Sequence, residues 1–174
     1  MPETKIRIRD AAEADREELR KILIEAYEQY ASDIPDRWEA YKESILASVD
    51  GGAPKARLVA ELNGEIVGSA LLFDSSAEAY GDPELGIHSP IIRLLAVSPS
   101  HRGRGIATAI LRESARRASE WGAETLHLHT SDVMAPAVRL YEYLGFERDY
   151  DKDVRQGDTL VKSYKLQLKE KAFH

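Results

Sequence analysis

The amino-acid sequence predicts a layered domain of mixed helices and strands, of the α/β or α+β class. Three observations support this prediction. Two amphipathic helical patterns come first, and two apolar runs separated by Asn63-Gly64 follow them. Asn-Gly accommodates the positive φ angles of a type I′ turn, so the two runs are expected to form an antiparallel hairpin. A buried run over 90–97, a helical pattern and an alternating segment over 125–130 then add a strand-helix-strand succession.

The first half of the chain supplies one strand, two helices and the hairpin. Residues 5–9 alternate as Lys-Ile-Arg-Ile-Arg, which is the period expected of a half-buried strand. Apolar residues recur at helical spacing over about 14–30, and again over 36–49 before a glycine pair, so both segments are predicted as helices. The hairpin strands are residues 56–62 and 66–73.

The second half alternates strands with helices. A polar segment over 75–89 is predicted to be a loop, and it is longer than a simple connection requires. The elements expected after it are a strand over 90–97, a helix over about 105–121, a strand over 125–130, a short helix over 136–144 and final strands that begin at Phe146 and include 159–168. The order β-α-α-β-β-β-α-β-α-β-β amounts to about seven strands and four helices.

Length and composition exclude several classes of function. The 174 residues contain 24 Lys and Arg against 30 Asp and Glu, a formal charge of −6 that is unlike a nucleic-acid binder. Cysteine is absent, which excludes disulfide scaffolds, thiolate zinc sites and cysteine nucleophiles and is compatible with a reducing compartment. No apolar run reaches membrane-spanning length, and residues 1–5 lack the apolar core of a secretory signal. We therefore expect a cytoplasmic protein without a membrane or nucleic-acid partner.

One segment predicts an anion-binding loop. Residues 94–107 run from a buried strand through a turn into the start of a helix, whose first N–H groups are unpaired and carry partial positive charge. Gly103 and Gly105 expose the backbone to a ligand, and two neighbouring arginines add charge. A tight turn with solvated arginines is the alternative. A P-loop motif is absent, and the Gly-x-Gly-x-x-Gly/Ala fingerprint of a dinucleotide fold fails at Thr108.

Two motifs give the sequence a resemblance to a known family. Arg102-Gly103-Arg104-Gly105-Ile106-Ala107 matches the Gln/Arg-x-x-Gly-x-Gly/Ala motif of the GNAT superfamily, the acyl-CoA-dependent N-acetyltransferases. The segment 137–146 is similar to the family's Ala-x-x-Leu-Tyr-Glu-x-Leu-Gly-Phe and follows at the expected distance. The resemblance implies a single GNAT domain over 1–174, with a mixed, mostly antiparallel sheet that splays between its fourth and fifth strands.

The resemblance also implies where acetyl-CoA, the cosubstrate, binds. Backbone groups of the fourth strand pair with the pantetheine arm, N–H groups of the loop hold the pyrophosphate, and Tyr141 protonates the departing thiolate as general acid. The cofactor-binding residues implied are Leu95, Ala96, Val97, Arg102, Gly103, Arg104, Gly105, Ile106, Ala107, Thr108 and Tyr141. Residues 101–117 contain five arginines and one glutamate, and this local charge of +4 in an acidic chain fits a polyphosphate cofactor.

Two departures from the family pattern leave the general base unassigned. Arg93 stands where many relatives carry a glutamate base, and Met134 stands where many carry an asparagine that touches pantetheine. His88, in the loop before the fourth strand, is a candidate base, with an exposed loop histidine as the alternative. Arg93 and Tyr27 are candidate acceptor contacts, while a structural carboxylate partner for Arg93 and a core position for Tyr27 stay open.

The sequence therefore predicts an enzyme that moves an acetyl group from acetyl-CoA to a primary amine of a small molecule or peptide, by direct transfer in a ternary complex. Relatives often form homodimers. A His-x-His pair such as His127 and His129 can ligate zinc, but only Asp132 offers a third ligand nearby, so no metal is expected. The open alternatives are a catalytically degenerate acyl-CoA-binding sensor or interaction module and a nucleotide-phosphate binder.

Overall fold

The structure is a computed structural model that describes residues 6–28, 31–33, 35–51, 54–80, 82–130, 135–156 and 159–168. Asp132 and Met134 lie outside these ranges, as do the first residue of the strand predicted over 5–9 and the last two of the helix predicted over about 14–30. The chain divides into two compact units. The first comprises Met1–Leu71 with Leu94–Ile110, and the second comprises Leu72–Arg93 with Leu111–His174. Each unit is described separately below.

The first unit contains helices α1 and α2 and a sheet in which the strands follow the order β1-β2-β3-β4. Its elements are β1 (Ile6–Asp10), α1 (Arg16–Glu28), α2 (Trp38–Asp50), β2 (Ala56–Leu62), most of β3 (Glu65–Phe73), the end of β4 (Ile91–Val97) and the start of α4 (Ile106–Glu120). β1 and β2 are antiparallel, with Cα partners from Ile6↔Leu62 to Asp10↔Leu58. The predicted turn joins β2 and β3, with φ of 55° at Asn63 and 83° at Gly64.

The second unit contains the strand order β4-β5-β8-β6, with β7 paired to β8. Its elements are the end of β3, α3 (Ser76–Tyr80), the start of β4, most of α4, β5 (Thr125–Thr130), α5 (Ala135–Tyr143), β6 (Glu147–Arg148), β7 (Val154–Gln156) and β8 (Thr159–Gln167). β4 and β5 are parallel, and their register consists of Ile91↔His127 and Ile92↔Leu128. β5 and β8 are antiparallel along all of β5.

The predicted fold class is confirmed, because the described strands form a mixed open sheet with one parallel pair, β4–β5, and flanking helices. The segment 75–89 differs from the expected irregular loop, since it contains α3 and a 3₁₀ turn over Pro83–Leu85. Ser76 closes this segment, because its N–H donates to the Ile87 carbonyl (2.9 Å) and its hydroxyl accepts from the Ile87 N–H (3.2 Å). A helix of five residues is too short for hydrophobic periodicity to reveal.

Burial explains why the first helix forms where the periodicity predicts it. The buried residues of α1 are Leu19, Ile22, Leu23, Ala26 and Tyr27. These positions follow the i, i+3, i+4, i+7, i+8 pattern and therefore lie on one stripe of the helix. Within the described ranges, no helix combines the length and the apolar character needed to cross a membrane.

Close packing at Gly68 holds the two chain segments that flank the predicted anion-binding loop. A Cβ atom at this position of β3 would lie 3.0 Å from the Ala96 carbonyl oxygen, 3.0 Å from Cγ2 of Ile106 and 3.1 Å from Cδ1 of Ile110. Only glycine lets β3, the end of β4 and the first turn of α4 approach so closely. The loop of residues 98–105 is therefore held at both of its ends by the core of the first unit.

Candidate functional site

The end of β4 contains a kink that the sequence does not signal. Leu94 has a φ of 52°, a left-handed conformation that costs a non-glycine residue about 1–2 kcal/mol. The Tyr27 hydroxyl donates to the carbonyl oxygen of the next residue, Leu95, at 2.8 Å. Three residues further on, the Ser98 N–H donates to the Val67 carbonyl at 2.8 Å. The chain is thus held at two points that follow the kink, as expected of strain retained at a functional segment.

Tyr27, a predicted acceptor contact, lies against this strand. Its side chain is buried, and its ring centroid is 5.9 Å from that of Tyr41 on α2. The hydroxyl bond to Leu95 connects α1 to the strand whose backbone the family resemblance assigns to the pantetheine arm. In the described contacts Tyr27 therefore positions β4.

We expect Tyr27→Phe to destabilise the protein by about 0.5–1.5 kcal/mol, because the half-buried Leu95 carbonyl loses its hydroxyl donor. Chemical denaturation followed by circular dichroism measures the change. Tyr143→Phe is the matched control, since the Tyr143 side chain is 86% exposed and its replacement should change stability by less than about 0.5 kcal/mol. Equal stability of the two variants would contradict the positioning role.

The loop after β4 has the backbone expected of an anion site. Gly103 and Gly105 both have a φ of 79°, and no atom lies within 4 Å of the position that a Cβ would take at either residue. The first helical bond of α4 runs from the Ala109 N–H to the Gly105 carbonyl at 3.0 Å. The N–H groups of residues 106–108 precede it and have no acceptor within the helix. Three amide donors thus stand at one helix end.

The positive charge near this loop is smaller than the count over 101–117 suggests. Arg116 pairs with Glu113 and Glu120, both at 2.7 Å, and Arg117 pairs with Glu113 at 2.9 Å. These contacts lower the pKa of Glu113, chiefly through the hydrogen bond from Arg116. At the loop itself, Arg102 donates to the Ala26 carbonyl at 3.4 Å and the Arg104 side chain is exposed. Because Glu113 and Glu120 together balance Arg116 and Arg117, the remaining positive charge of the segment lies on Arg102, Arg104 and Arg112.

Tyr141, His88 and Arg93 belong to the second unit. Tyr141 is buried on α5, with its ring centroid 5.9 Å from that of Phe146. Arg93 donates to the Ala79 carbonyl of α3 at 3.0 Å, which gives it a structural contact inside its own unit. His88 is exposed in the segment before β4.

The two histidines of β5 are held by different partners. His127 is 7% exposed, its Nε2 is 3.2 Å from the Thr125 hydroxyl, and its Nδ1 is 3.8 Å from a carboxylate oxygen of Asp149. His129 has its Nε2 3.1 Å from the Lys152 carbonyl oxygen. Burial lowers the pKa of both, to about 4 for His127, so both rings are neutral at pH 7. Among the described residues, no three His, Cys, Asp or Glu side chains gather as metal ligands.

Comparison with known proteins identifies the family. The family model of the acetyltransferase (GNAT) family matches residues 16–146, well over half of the chain. This chain belongs to the GNAT family. Among its curated relatives, the probable N-acetyltransferase family 8 member 5 of Mus musculus is 37% identical over 90 residues, or 52% of this chain and 37% of the relative. N-acetyltransferase 8F1 of Rattus norvegicus is 32% identical over 139 residues, or 76% of this chain and 61% of the relative. The GNAT chain thus spans less than two thirds of the length of either relative.

Solved structures share the fold of this GNAT chain over nearly its whole length. The acetyltransferase yncA of Salmonella typhimurium, solved with acetyl-CoA, has a TM-score of 0.61 and 22% identity, covering 97% of this chain and 96% of that one. The ribosomal-protein-S18-alanine N-acetyltransferase of Escherichia coli has a TM-score of 0.64 and 18% identity, covering 94% of each chain. At these identities the likeness establishes the fold.

His127 is expected to make the stability of this GNAT chain depend on pH. Its folded pKa of about 4 lies below the usual 6.5, so between these values the unfolded chain binds the extra proton. Stability is therefore complete above pH 6.5 and decreases as the pH falls toward 4, by up to about 3 kcal/mol. Urea denaturation at pH 7.5 and pH 4.5 measures the loss. His127→Asn should show a smaller loss over the same range, and an unchanged pH dependence would contradict this assignment.

Two features of the site could not be identified from the sequence. Leucine is not a turn residue, so nothing in the segment 91–97 signals the left-handed backbone at Leu94. Asp149 lies 22 positions after His127 in the chain. It approaches that ring because its own N–H donates to the Ser163 carbonyl of the neighbouring strand at 2.8 Å. The approach of Asp149 depends on strand pairing, which residue types alone do not specify.

Proposed function

We propose that this protein is an N-acetyltransferase that moves the acetyl group of acetyl-CoA to a primary amine by direct transfer in a ternary complex. The observation that carries the proposal is the loop of residues 98–105. It joins a kinked β4 to three amide donors at the start of α4, and it lies within the segment that matches the GNAT family. Amide groups at a helix start together with flanking arginines favour a phosphate ligand.

The geometry of the loop supports pyrophosphate as its ligand. The positive φ angles of Gly103 and Gly105 and the open space around them leave the backbone accessible. Arg104 is exposed beside these groups and supplies a positive charge. The backbone of residues 95–97 would then receive the pantetheine arm as an added strand, and Thr108 would add a hydroxyl.

The chemistry assigned to the remaining groups follows from the charges that develop during acetyl transfer. The N–H of Val97 or its neighbour on the kinked strand would polarise the thioester carbonyl, as oxyanion-hole donors do. Tyr141 would donate its phenolic proton to the departing thiolate as general acid. The acceptor would be an amine of a small molecule or peptide.

The proposal is tested by binding and by turnover with the same preparation. CoA is expected to raise the melting temperature, whereas ATP and NAD at equal concentration should not, because only CoA carries the pantetheine arm that β4 pairs with. Release of the CoA thiol is then measured with acetyl-CoA and a panel of amines that includes spermidine, lysine, an aminoglycoside and a peptide with a free N-terminus. CoA binding without thiol release from any of them would favour the acyl-CoA-binding sensor, and stabilisation by ATP or NAD alone would favour a nucleotide-phosphate binder.

A further inference from the structure

The last turn of α1, residues 25–28, contacts the proposed CoA-binding segment at two points. The Tyr27 hydroxyl donates to the Leu95 carbonyl at 2.8 Å, near the end of β4. From the loop that follows β4, Nη2 of Arg102 donates to the Ala26 carbonyl at 3.4 Å. Ala26 and Tyr27 are neighbours in the chain, and all four residues belong to the first unit. One helical turn thus holds both the strand and the loop that would bind CoA.

The carboxyl end of α1 favours a cation that the helix itself does not provide. The carbonyl groups of a last helical turn carry partial negative charge, which a nearby Lys or Arg stabilises. The last turn of α1 contains no basic residue, and its two glutamates, Glu25 and Glu28, are exposed and add negative charge. Arg102 brings its guanidinium group to this end of the helix. The contact is therefore electrostatically favourable as well as a hydrogen bond.

The carboxyl end of α2 is bound in the same way by a different arginine. The last turn of α2 also lacks a basic residue. Arg57 of β2 donates to the Ser48 carbonyl at 2.7 Å and to the Gly51 carbonyl at 2.5 Å. Arg57 does so from a strand, whereas Arg102 does so from a loop with the backbone of an anion site. The contact of Arg102 therefore also links a helix end to that loop.

The part of the loop next to Arg102 has few other restraints. Within the part of the chain that the structure describes, Gly103 and Arg104 make no backbone–backbone hydrogen bond. Gly103 and Gly105 have open space around their Cβ positions, so side-chain packing does not confine the backbone there. The Arg104 side chain has no hydrogen bond or ion pair to a described residue. The bond from Arg102 to α1 thus restrains this part of the loop, while the charge of Arg104 is available to a ligand.

We propose that Arg102 is a positioning residue for CoA, which fixes the loop of residues 98–105 against the last turn of α1 and couples CoA binding to the order of that turn. The assignment rests on the proposed function, since CoA is the ligand that the loop would receive. A loop that is fixed in advance loses less conformational entropy when it binds. Because coupling is reciprocal, bound CoA stabilises the turn, and loosening the turn weakens CoA binding. Arg104 supplies the side-chain charge that meets the phosphates.

Hydrogen exchange of the amides of residues 25–28 tests this link, because these amides exchange when the turn opens. Without ligand, Arg102→Gln is expected to exchange them about threefold faster than the wild type or more. Saturating CoA should slow them about fivefold or more in the wild type and in Arg104→Gln, but less than about twofold in Arg102→Gln. Arg57→Gln is the matched control, since it removes an arginine from the end of α2, and it should keep the wild-type response. Circular dichroism confirms that each variant is folded.

A double-mutant cycle on the Kd for CoA, measured by isothermal titration, gives a second readout. Tyr27→Phe and Arg102→Gln loosen the same turn, so the double variant should raise the Kd by a factor about threefold or more below the product of the single factors. Tyr27→Phe combined with Arg104→Gln should give that product within about twofold.

Either of two results would overturn the positioning role of Arg102. One is a CoA-dependent slowing of exchange at residues 25–28 that is equal in Arg102→Gln and the wild type. The other is a double variant of Tyr27 and Arg102 whose effect on the Kd equals the product of the single factors. A wild type that does not bind CoA would instead refute the proposed function, and the ligand-free exchange rates would still decide whether Arg102 holds the last turn of α1.

Discussion

Replacement of both Gly103 and Gly105 by Val is expected to raise the Kd for CoA by about 30-fold to several hundred-fold. Both glycines have a φ of 79°, which costs a side-chain-bearing residue about 1–2 kcal/mol per position. The exposed loop of the free variant can relax to other backbone angles, so this strain must be overcome when the loop closes around the phosphates. The cost therefore appears in the binding constant, and isothermal titration with CoA measures it.

The control for this variant is Gly122→Val. Gly122 follows α4, has a φ of 84° and likewise has no atom within 4 Å of its Cβ position, so the local strain is matched. Its replacement should lower the melting temperature while leaving the Kd for CoA within about threefold of the wild type. A double variant at 103 and 105 that binds CoA as tightly as the wild type would mean that this loop does not hold the cofactor.

Tyr141→Phe is expected to lower kcat by about 100-fold to 10,000-fold while leaving CoA affinity nearly unchanged. The phenolic proton is the one that the proposed mechanism places on the thiolate, and phenylalanine cannot supply it. The ring itself is buried against Phe146 on α5, and Phe preserves that contact. Steady-state assays of thiol release, together with CoA titration, separate the two effects.

Tyr143→Phe is a matched control for the loss of a hydroxyl on the same helix. Its side chain is 86% exposed, so the variant should keep wild-type kcat. If Tyr141→Phe turned over at the wild-type rate, Tyr141 would be removed from the mechanism. If it lost CoA binding and melted at a lower temperature, the role of Tyr141 would be structural.

Local patterns predicted most of the fold. The Asn63-Gly64 turn has the positive φ angles that its residue types favour. The apolar residues at helical spacing in α1 form its buried stripe. The helix over Ser76–Tyr80 was missed because one turn carries no periodic signal. The charge count over 101–117 already included Glu113, but the sequence alone did not show that Glu113 and Glu120 together balance Arg116 and Arg117.

The candidate site likewise has a part that the sequence predicted and a part that it did not. Each family motif is a contiguous stretch of the chain, and the first includes the glycines and arginines of the loop. Both motifs could therefore be recognised from residue types and spacing. The partners of the β5 histidines could not be predicted in this way. His127 and His129 could be placed on one strand face, but the carboxylate, carbonyl and hydroxyl groups around them come from other segments.

By itself, the sequence determined the order of the elements and the membership of the GNAT family, and it predicted an anion-binding loop. The tertiary structure decided the kink at Leu94, the hydroxyl contact of Tyr27 with Leu95 and the neutral state of the β5 histidines. The physical reason is the separation along the chain of the groups that interact. Turn angles and helical stripes depend on residues a few positions apart, whereas strain, burial and shifted pKa values depend on groups that only strand pairing and packing bring together.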